Sequence, residues 1–432
     1  MKNRFTNYFK ISFLVLGMLI SFSSVKAQQY EFWGATSTGG SSGTGAIFKT
    51  NAAGGNPTFV ADLAPGSTAY SSLIFANNNK FYGMTLEGGS MGSGIIYSYD
   101  PATSTFSVEY DFDGGTNGGN PYGGLLQGTD GLLYGMTSIG GTNGAGLIFS
   151  FDIVTQIFVP LHSFNDPQGS EPWTSLYEAS NGIFYGVTLY GGSSGQGTLF
   201  SFDPLSGIHT VLFSMDGTNG SWPYRGVTQA TNGLLFGTTF SGGAFGFGNI
   251  YTYDIIGGFY TSIYDFDGTA EGPLGELFEA SNGMLYGTTY DGGAFGVGSI
   301  YSVDPATSAV TILHDLDGTN DGANSWCQLM EAYDGLLYGV TSSQGAVGVG
   351  TIFSFNFSTN TFTKTGDFDN ATTGANPYFG QLTQIDFCAF ASAPNVNLVT
   401  QTYPSCLGAF DGSLDVDVQS CGTTSFVWTG PN

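Results

Sequence analysis

Short apolar segments, in which large aromatic residues alternate with small or polar ones, recur along the whole chain. Alternation with a period of two is typical of β-strands, because successive side chains point to opposite faces of a sheet. Glycine doublets and Asn-Gly or Asp-Gly pairs, which are turn signals, separate the segments. Almost no stretch has the periodicity of an amphipathic helix, so the pattern predicts an all-β protein.

The segments are organised in seven repeats, each marked by an aromatic residue followed by Gly, any residue and Thr. These aromatic residues are Trp33, Tyr82, Tyr134, Tyr185, Phe236, Tyr286 and Tyr338, and successive copies lie 49 to 52 residues apart. A period near 50 residues with several short strands per copy is typical of β-propeller blades. The repeats therefore predict a seven-bladed β-propeller with four strands in each blade.

The two ends of the repeat array predict how the ring closes. The first copy begins with its second strand, "YEFWGAT", and the chain after the seventh copy supplies one further first strand, "PYFGQLTQI", at residues 377–385. Pairing these two segments completes the first blade and removes exposed sheet edges. Within each blade, the Asn-Gly or Asp-Gly pair after the first strand predicts a type I′ hairpin.

Residues 30–386 carry the pattern L-x-E-A-x-N/D-G-x-L-Y-G-x-T, then G-G, G-x-G-x-I-F/Y-S-x-D-P and F-D-G. This pattern resembles the GloVer tandem repeat, which occurs in secreted bacterial proteins with assorted C-terminal anchors. It also resembles kelch propellers, more loosely, in its period and its glycine doublet. The resemblance implies export and display at the cell surface, and it brings no established catalytic activity.

Both ends of the chain differ in composition from the repeats. Residues 1–27 combine basic residues, an apolar run from Ile11 to Phe22 and a small-residue cleavage pattern, which predicts a secretory signal peptide. We therefore expect the propeller to occupy residues 28–386. Residues 387–432 are similar to SprB-type repeats of gliding-motility adhesins, which implies the truncated start of an immunoglobulin-like β-sandwich. One pair among Cys388, Cys406 and Cys421 could form a disulfide, and the spacing leaves the pairing open.

The charge balance excludes several classes of partner. The chain has 8 Lys and Arg against 33 Asp and Glu, and removal of the signal peptide leaves four basic residues and a net charge of 4 − 33 = −29. Such a surface repels phosphate backbones and anionic lipids, so we expect no nucleic-acid partner. We also expect no membrane insertion of the mature chain, and a propeller that is monomeric.

Aromatic residues recur three positions before the core residue of each first strand, and Leu274 interrupts the series. At one mouth of a propeller these side chains could stack on sugars, and the alternative is that they pack between blades. The candidate positions are Tyr70, Tyr122, Trp173, Tyr224, Trp326 and Phe379.

Arg225 is the sole arginine after the signal peptide, and the other repeats have no counterpart. Beside Trp222 and Tyr224 it could bind the carboxylate of an acidic sugar. The alternative is an isolated surface arginine that balances local negative charge. His162 and His314 share one repeat position and His209 is assigned to a turn, so no catalytic triad or metal-ligand spacing emerges.

Acidic pairs spaced by two end several fourth strands and form candidate calcium ligands. The alternative is that each Asp bonds the backbone of the turn that follows it. The pairs are Asp111 and Asp113, Asp265 and Asp267, Asp315 and Asp317, and Asp367 and Asp369.

Beside the hairpin turns, one repeat position holds either Glu or Gln. The residues are Glu178, Glu279 and Glu331, and Gln127, Gln229 and Gln384. Since only Glu titrates, we expect these side chains to hydrogen-bond neighbouring strands.

These features favour a secreted or surface-displayed, non-catalytic adhesion protein that binds a glycan or a surface protein at one mouth of the propeller. The first alternative is a secreted glycosidase or lyase on a propeller scaffold, which would need an asymmetric pair of acids. The second is a passive spacer. We expect no cofactor other than calcium.

Overall fold

The computed structural model describes residues 30–64, 67–378 and 380–386, and the backbone of residues 395–402 and 413–419. The first three ranges belong to one compact unit. The predicted signal peptide, Phe379 and the three C-terminal cysteines lie outside the described residues.

Seven antiparallel sheets confirm the all-β, seven-bladed β-propeller. The strands of the first four blades are β1 (Tyr30–Ala35), β2 (Ala46–Lys49), β3 (Thr58–Asp62), β4 (Ile74–Phe75), β5 (Phe81–Thr85), β6 (Ile95–Asp100), β7 (Thr105–Asp111), β8 (Leu126–Gln127), β9 (Leu133–Thr137), β10 (Leu147–Phe151), β11 (Phe158–Ser163), β12 (Tyr177–Glu178), β13 (Phe184–Thr188), β14 (Thr198–Asp203) and β15 (Ile208–Ser214). A 3-10 helix at Asp166–Gln168 connects the third and fourth blades.

The remaining blades follow the same order from inner to outer strand, and the sixth has one additional strand, β20, paired with β22. Their strands are β16 (Val227–Gln229), β17 (Leu234–Thr239), β18 (Asn249–Asp254), β19 (Phe259–Asp265), β20 (Ala270–Pro273), β21 (Phe278–Glu279), β22 (Leu285–Gly292), β23 (Ser299–Val303), β24 (Val310–Asp315), β25 (Met330–Glu331), β26 (Leu337–Thr341), β27 (Thr351–Asn356), β28 (Thr361–Asp367) and β29 (Thr383–Asp386).

The ring closes where the sequence predicts. Strand β29 pairs antiparallel with β1, with Tyr30 opposite Asp386 and Trp33 opposite Thr383, so the first blade contains both ends of the repeat array. The paired segment is shorter than the predicted 377–385, because first strands throughout the ring form only two to four residues of ladder.

The repeated aromatic-Gly-x-Thr step has a packing explanation in every blade. A Cβ atom added to Gly135 would lie 2.5 Å from the ring of Phe149 on the next strand, and one added to Gly237 would lie 2.4 Å from Tyr251. The Thr hydroxyl accepts a bond from the start of the third strand, as Thr85 does from the Ile95 backbone N–H. Glycine is therefore required so that the ring can cross the second strand.

The Glu/Gln position beside the hairpin joins each blade to the one before it. Glu178 accepts bonds from the backbone N–H and hydroxyl of Thr129 in the preceding hairpin, and Gln384 accepts one from the Tyr333 N–H. The second blade has Phe75 at this position. Its preceding blade has no such hairpin to donate a bond, because β29 and β1 come from opposite ends of the array.

The predicted type I′ hairpin is wrong. In the turn after β8, the Gly131 N–H bonds the Gly128 carbonyl, and only Gly131 has a positive φ, of 88°. A type I′ turn needs two residues with positive φ, whereas a type I turn followed by a left-handed glycine needs one. Asp130 stabilises this alternative, because its carboxylate accepts the Leu132 N–H at 3.0 Å.

The second compact unit includes an antiparallel pair of strands, β30 (Asn395–Thr402) and β31 (Ser413–Gln419). An adhesin-like module in residues 387–432 stays a prediction. Among the residues that the structure describes, no helix is long and apolar enough to span a bilayer.

Candidate functional site

The first strands of all seven blades line a central channel with a cavity volume of about 510 Å³. The cavity extends from Tyr70 and Tyr122 at one end to Gln127, Gln229 and Glu279 beside the hairpins at the other end. This size is typical of pockets that bind small molecules. Because every blade contributes the same repeat positions, any difference among their side chains makes the channel asymmetric.

The predicted aromatic positions form a closed ring around one end of the channel. Tyr122 and Trp173 stack at 4.0 Å between centroids, and the remaining neighbours contact one another at 5.5 to 6.5 Å. The members in order are Tyr70, Tyr122, Trp173, Tyr224, Trp326 and Tyr378. All six are partly buried. Their ring faces are largely occupied by one another, which favours the packing interpretation of this series.

Two details of the ring differ from the sequence analysis. Tyr378 contributes the aromatic ring next to Tyr70, whereas the predicted Phe379 lies outside the described residues. At the Leu274 position, Tyr224 and Trp326 make contact across the interruption, with centroids 6.5 Å apart. The ring therefore remains continuous with six aromatic members.

Arg225 is buried, with 8% of its surface exposed, so the interpretation as an isolated surface arginine is wrong. Its guanidinium donates to the backbone carbonyls of Leu274 in the sixth blade and Trp326 in the seventh. Burial lowers the pKa of Arg225 to about 10, and the charge of Glu276 opposes this shift. Arg225 thus connects three successive blades at the repeat position where others have Ser71, Gly123, Thr174, Gly275, Cys327 and Gly380.

Glu276 is the channel residue that the sequence analysis missed. It lines the cavity, accepts a bond at 3.3 Å from the Gln328 amide and leans over Gly226, whose added Cβ would lie 3.1 Å from Oε2. Burial raises the pKa of Glu276 to about 7, while Arg225 acts in the opposite direction. Alignment of the repeats could have found it, because its counterparts are Ser72, Gly124, Ser175, Gly226, Gln328 and Gln381.

Trp222 has a strained backbone and an exposed side chain. Its φ is 54°, in the left-handed region, and 37% of its surface is exposed. The same position holds Asn120, Asn324 and Asn376 in three other blades and Glu171 in the fourth, all with positive φ, and Asn324 uses its amide to bond the Tyr290 carbonyl. Asparagine tolerates this conformation better than a bulky residue. Trp222 therefore occupies a position for which the fold favours a different residue.

Exposed apolar side chains occupy the tips of the loops between the second and third strands in each of the last three blades. We call Phe245, Phe247, Phe295 and Val347 the apolar loop tips, and they are 39 to 63% exposed. The tip residue is polar in the first, third and fourth blades, where it is Ser42, Asn143 or Ser194, whereas the second blade has Met91, which is 64% exposed. These loops lie at the same end of the propeller as the aromatic ring, since strands alternate in direction.

The two carboxylates of an acidic pair accept hydrogen bonds from the backbones of two different loops. Asp111 accepts the Ser90 N–H of the glycine loop, while Asp113 accepts the N–H groups of Gly115 and Asn117 in its own loop. Asp367 and Asp369 divide in the same way, with Ala346 and Ala371 as donors. Among the described residues, no group of three or more His, Cys, Asp or Glu could hold a metal ion. Calcium binding stays a prediction that titration with a chelator would test.

The sixth blade has a further carboxyl pair, Glu271 on β20 opposite Asp291 on β22. Burial raises the pKa of both, and Asp291 adds to the shift of Glu271.

His209 lies on β15, so its assignment to a turn is wrong, and it stacks on His162 at 4.3 Å. Burial lowers the pKa of His209 to about 3.

A family model described as the Gloeobacter/Verrucomicrobia repeat matches residues 9–159, 69–277 and 232–387. No curated protein sequence matches the chain.

Solved propellers share the fold at low sequence identity. A protein from Bacteroides uniformis described as a 6-phosphogluconolactonase is 13% identical, with a TM-score of 0.58, and the match covers 83% of this chain and 100% of that one. A periplasmic gluconolactonase from Pseudomonas aeruginosa is also 13% identical, with a TM-score of 0.55 and coverage of 83% and 99%. Similarity at this level concerns the fold alone.

Proposed function

We propose that this chain, which belongs to the Gloeobacter/Verrucomicrobia repeat family, is an exported, non-catalytic adhesion protein. The proposal rests on the side chains that differ among its seven blades. The ligand is a neutral glycan, bound at the end of the propeller that carries the aromatic ring. The contact surface comprises Trp222 and the apolar loop tips of the fifth to seventh blades.

The observation that carries this proposal is the conformation of Trp222. A left-handed backbone costs a bulky residue about 1–2 kcal/mol, and the indole is still 37% exposed. The fold imposes this conformation at the equivalent position of other blades as well, so a bulky residue kept there is a reason to look for a function. An exposed indole offers a flat apolar surface on which a sugar ring can stack.

The neighbouring surface is consistent with such a ligand. Phe245 and Phe295 are exposed at equivalent positions of adjacent blades, and Tyr190 on the fourth blade is 38% exposed. The chain has 33 acidic residues against 8 basic ones, so anionic glycans and nucleic acids are repelled. A neutral polysaccharide avoids this repulsion and supplies apolar ring faces.

The enzymatic alternative has less support in the channel. Glycosidases commonly use two carboxyl groups at a defined separation. Two carboxyl groups line the described cavity, and one of them, Glu279, is hydrogen-bonded to the N–H and hydroxyl of Thr231. Glu276 is then the one candidate acid there, which favours binding over turnover.

The test is a glycan array probed with the full mature chain and with two variants. Trp222→Asn restores the residue type that other blades use, so we expect it to fold at least as stably and to lose binding by about tenfold or more. Leu205→Ser is the matched control, because Leu205 is 97% exposed at a turn between third and fourth strands, on the opposite end.

Binding that survives Trp222→Asn would contradict the proposed surface. Silence of the folded wild-type chain on the array would discard a glycan ligand and would favour adhesion to protein or the spacer alternative. Export is tested separately: N-terminal sequencing of protein from the culture medium should find Gln28 first, and retention of Met1 would contradict it.

A further inference from the structure

The central channel has two unlike walls. At the position that precedes the core residue of each first strand, the second to fifth blades have only Ser or Gly. The sixth, seventh and first blades place Glu276, Gln328 and Gln381 there, and all three line the cavity. Small residues therefore leave space on one side, while three long polar side chains face that space from the other.

The polar wall is held in place by contacts between blades. The Gln328 amide donates to Glu276 Oε1 and to the Leu277 carbonyl, both at 3.3 Å. Arg225 donates to two backbone carbonyls and counterbalances Glu276, so the wall has little net charge. Positioned donors and acceptors without net charge suit a neutral ligand that can both donate and accept.

An apolar band lies between the polar wall and the Gln127, Gln229 and Glu279 side chains at the hairpin end. It consists of Ile74, Leu126 and Phe278. A sugar or a cyclitol combines hydroxyl groups at its edge with apolar C–H faces, and either fits within about 510 Å³.

We propose that the central channel is a binding site for a neutral, hydroxyl-rich small molecule of monosaccharide or cyclitol size, held by Glu276, Gln328 and Gln381. The glycan surface at Trp222 is a separate site, so this inference does not rest on it. Burial raises the pKa of Glu276 to about 7, so above neutral pH its carboxylate accepts hydrogen bonds while Arg225 balances its charge.

The test uses the full mature chain and a panel of glucose, galactose, mannose, xylose, N-acetylglucosamine and myo-inositol. Saturation-transfer NMR identifies the binders, and calorimetry measures their affinities. Ser72→Leu fills the open side of the channel, and Gln381→Leu removes one polar group from the opposite wall. We expect at least a tenfold loss of affinity for Ser72→Leu and a three- to tenfold loss for Gln381→Leu.

Leu205→Ser serves as the control and should bind these small molecules as the wild type does. If Ser72→Leu does not fold, Gln381→Leu decides the question. Absence of binding by every panel member at 10 mM would overturn the proposal, as would unchanged affinity in folded Gln381→Leu.

Discussion

The second to fourth blades and the fifth to seventh blades are built from one repeat, yet they differ wherever the repeat leaves a position open. At the two positions before the core residue of each first strand, the earlier blades have only Ser, Gly or Thr, and two of their three loop tips are polar. The later blades have Arg225, Glu276 and Gln328 in the channel and Phe or Val at every loop tip. The positions shared by all blades explain the fold, and the positions that differ indicate where the molecule binds.

Substitution of a shared position should have the largest effect and should not distinguish the two regions. Gly135→Val in the third blade and Gly287→Val in the sixth would each force a side chain into the ring of Phe149 or Tyr301. We expect each to lower the free energy of unfolding by about 3 kcal/mol or more. Urea denaturation measures this, and a large difference between the two would contradict the equivalence of the blades.

Substitution of the buried Arg225 should lower the free energy of unfolding more than substitution of the equivalent residue in the earlier blades. Arg225→Met leaves the carbonyls of Leu274 and Trp326 without these bonds and removes the charge that opposes Glu276. We expect a loss of about 2–4 kcal/mol. Thr174→Val, at the same repeat position of the fourth blade, is the control and should cost about 1 kcal/mol or less. Equal losses in urea denaturation would show that Arg225 has no special role.

The two regions should also respond to pH in opposite directions. The pKa of His209 in the fourth blade is lowered to about 3, so the unfolded chain binds its proton more tightly. Stability from this group is present above pH 6.5 and is lost as the pH falls towards 3, by about 3 kcal/mol at pH 4. His209→Phe should reduce this loss of stability, which thermal unfolding at a series of pH values measures. A loss at acid pH equal to that of the wild type would contradict the lowered pKa of His209.

The pKa of Glu276 in the sixth blade is raised to about 7, so the folded chain binds its proton more tightly. Its contribution is fully present below pH 4.5 and is lost as the pH rises to 7, by about 3 kcal/mol. Its charge also acts on Arg225, Tyr177 and Tyr251. Glu276→Gln should flatten this part of the stability profile, and a profile identical to the wild type would contradict it.

The sequence predicts the shared features because each depends on contacts that recur with the repeat. The aromatic-Gly-x-Thr step, the closing strand and the Glu/Gln bonds between hairpins all follow from aligned positions. The hairpin type was wrong because Asp130 and its counterparts stabilise a turn with one left-handed residue.

The candidate site was harder to predict, since its contacts join residues that the repeat does not relate. Arg225 bonds Trp326, which lies 101 residues away, and no local pattern reveals that the guanidinium is buried. The strain at Trp222 becomes visible only from its φ of 54°, a value close to those of its Asn counterparts, which tolerate it better. Side chains that break a symmetric pattern therefore need the structure for their interpretation.

The central claim is that ligand binding is confined to one sector of a symmetric scaffold. Hydrogen–deuterium exchange of the full mature chain, with and without the strongest glycan from the array, tests it directly. We predict that protection concentrates at residues 240–248, 291–298 and 343–350, with the segment around Trp222. Protection spread equally over all seven blades, or confined to the loops of the first four, would contradict the account.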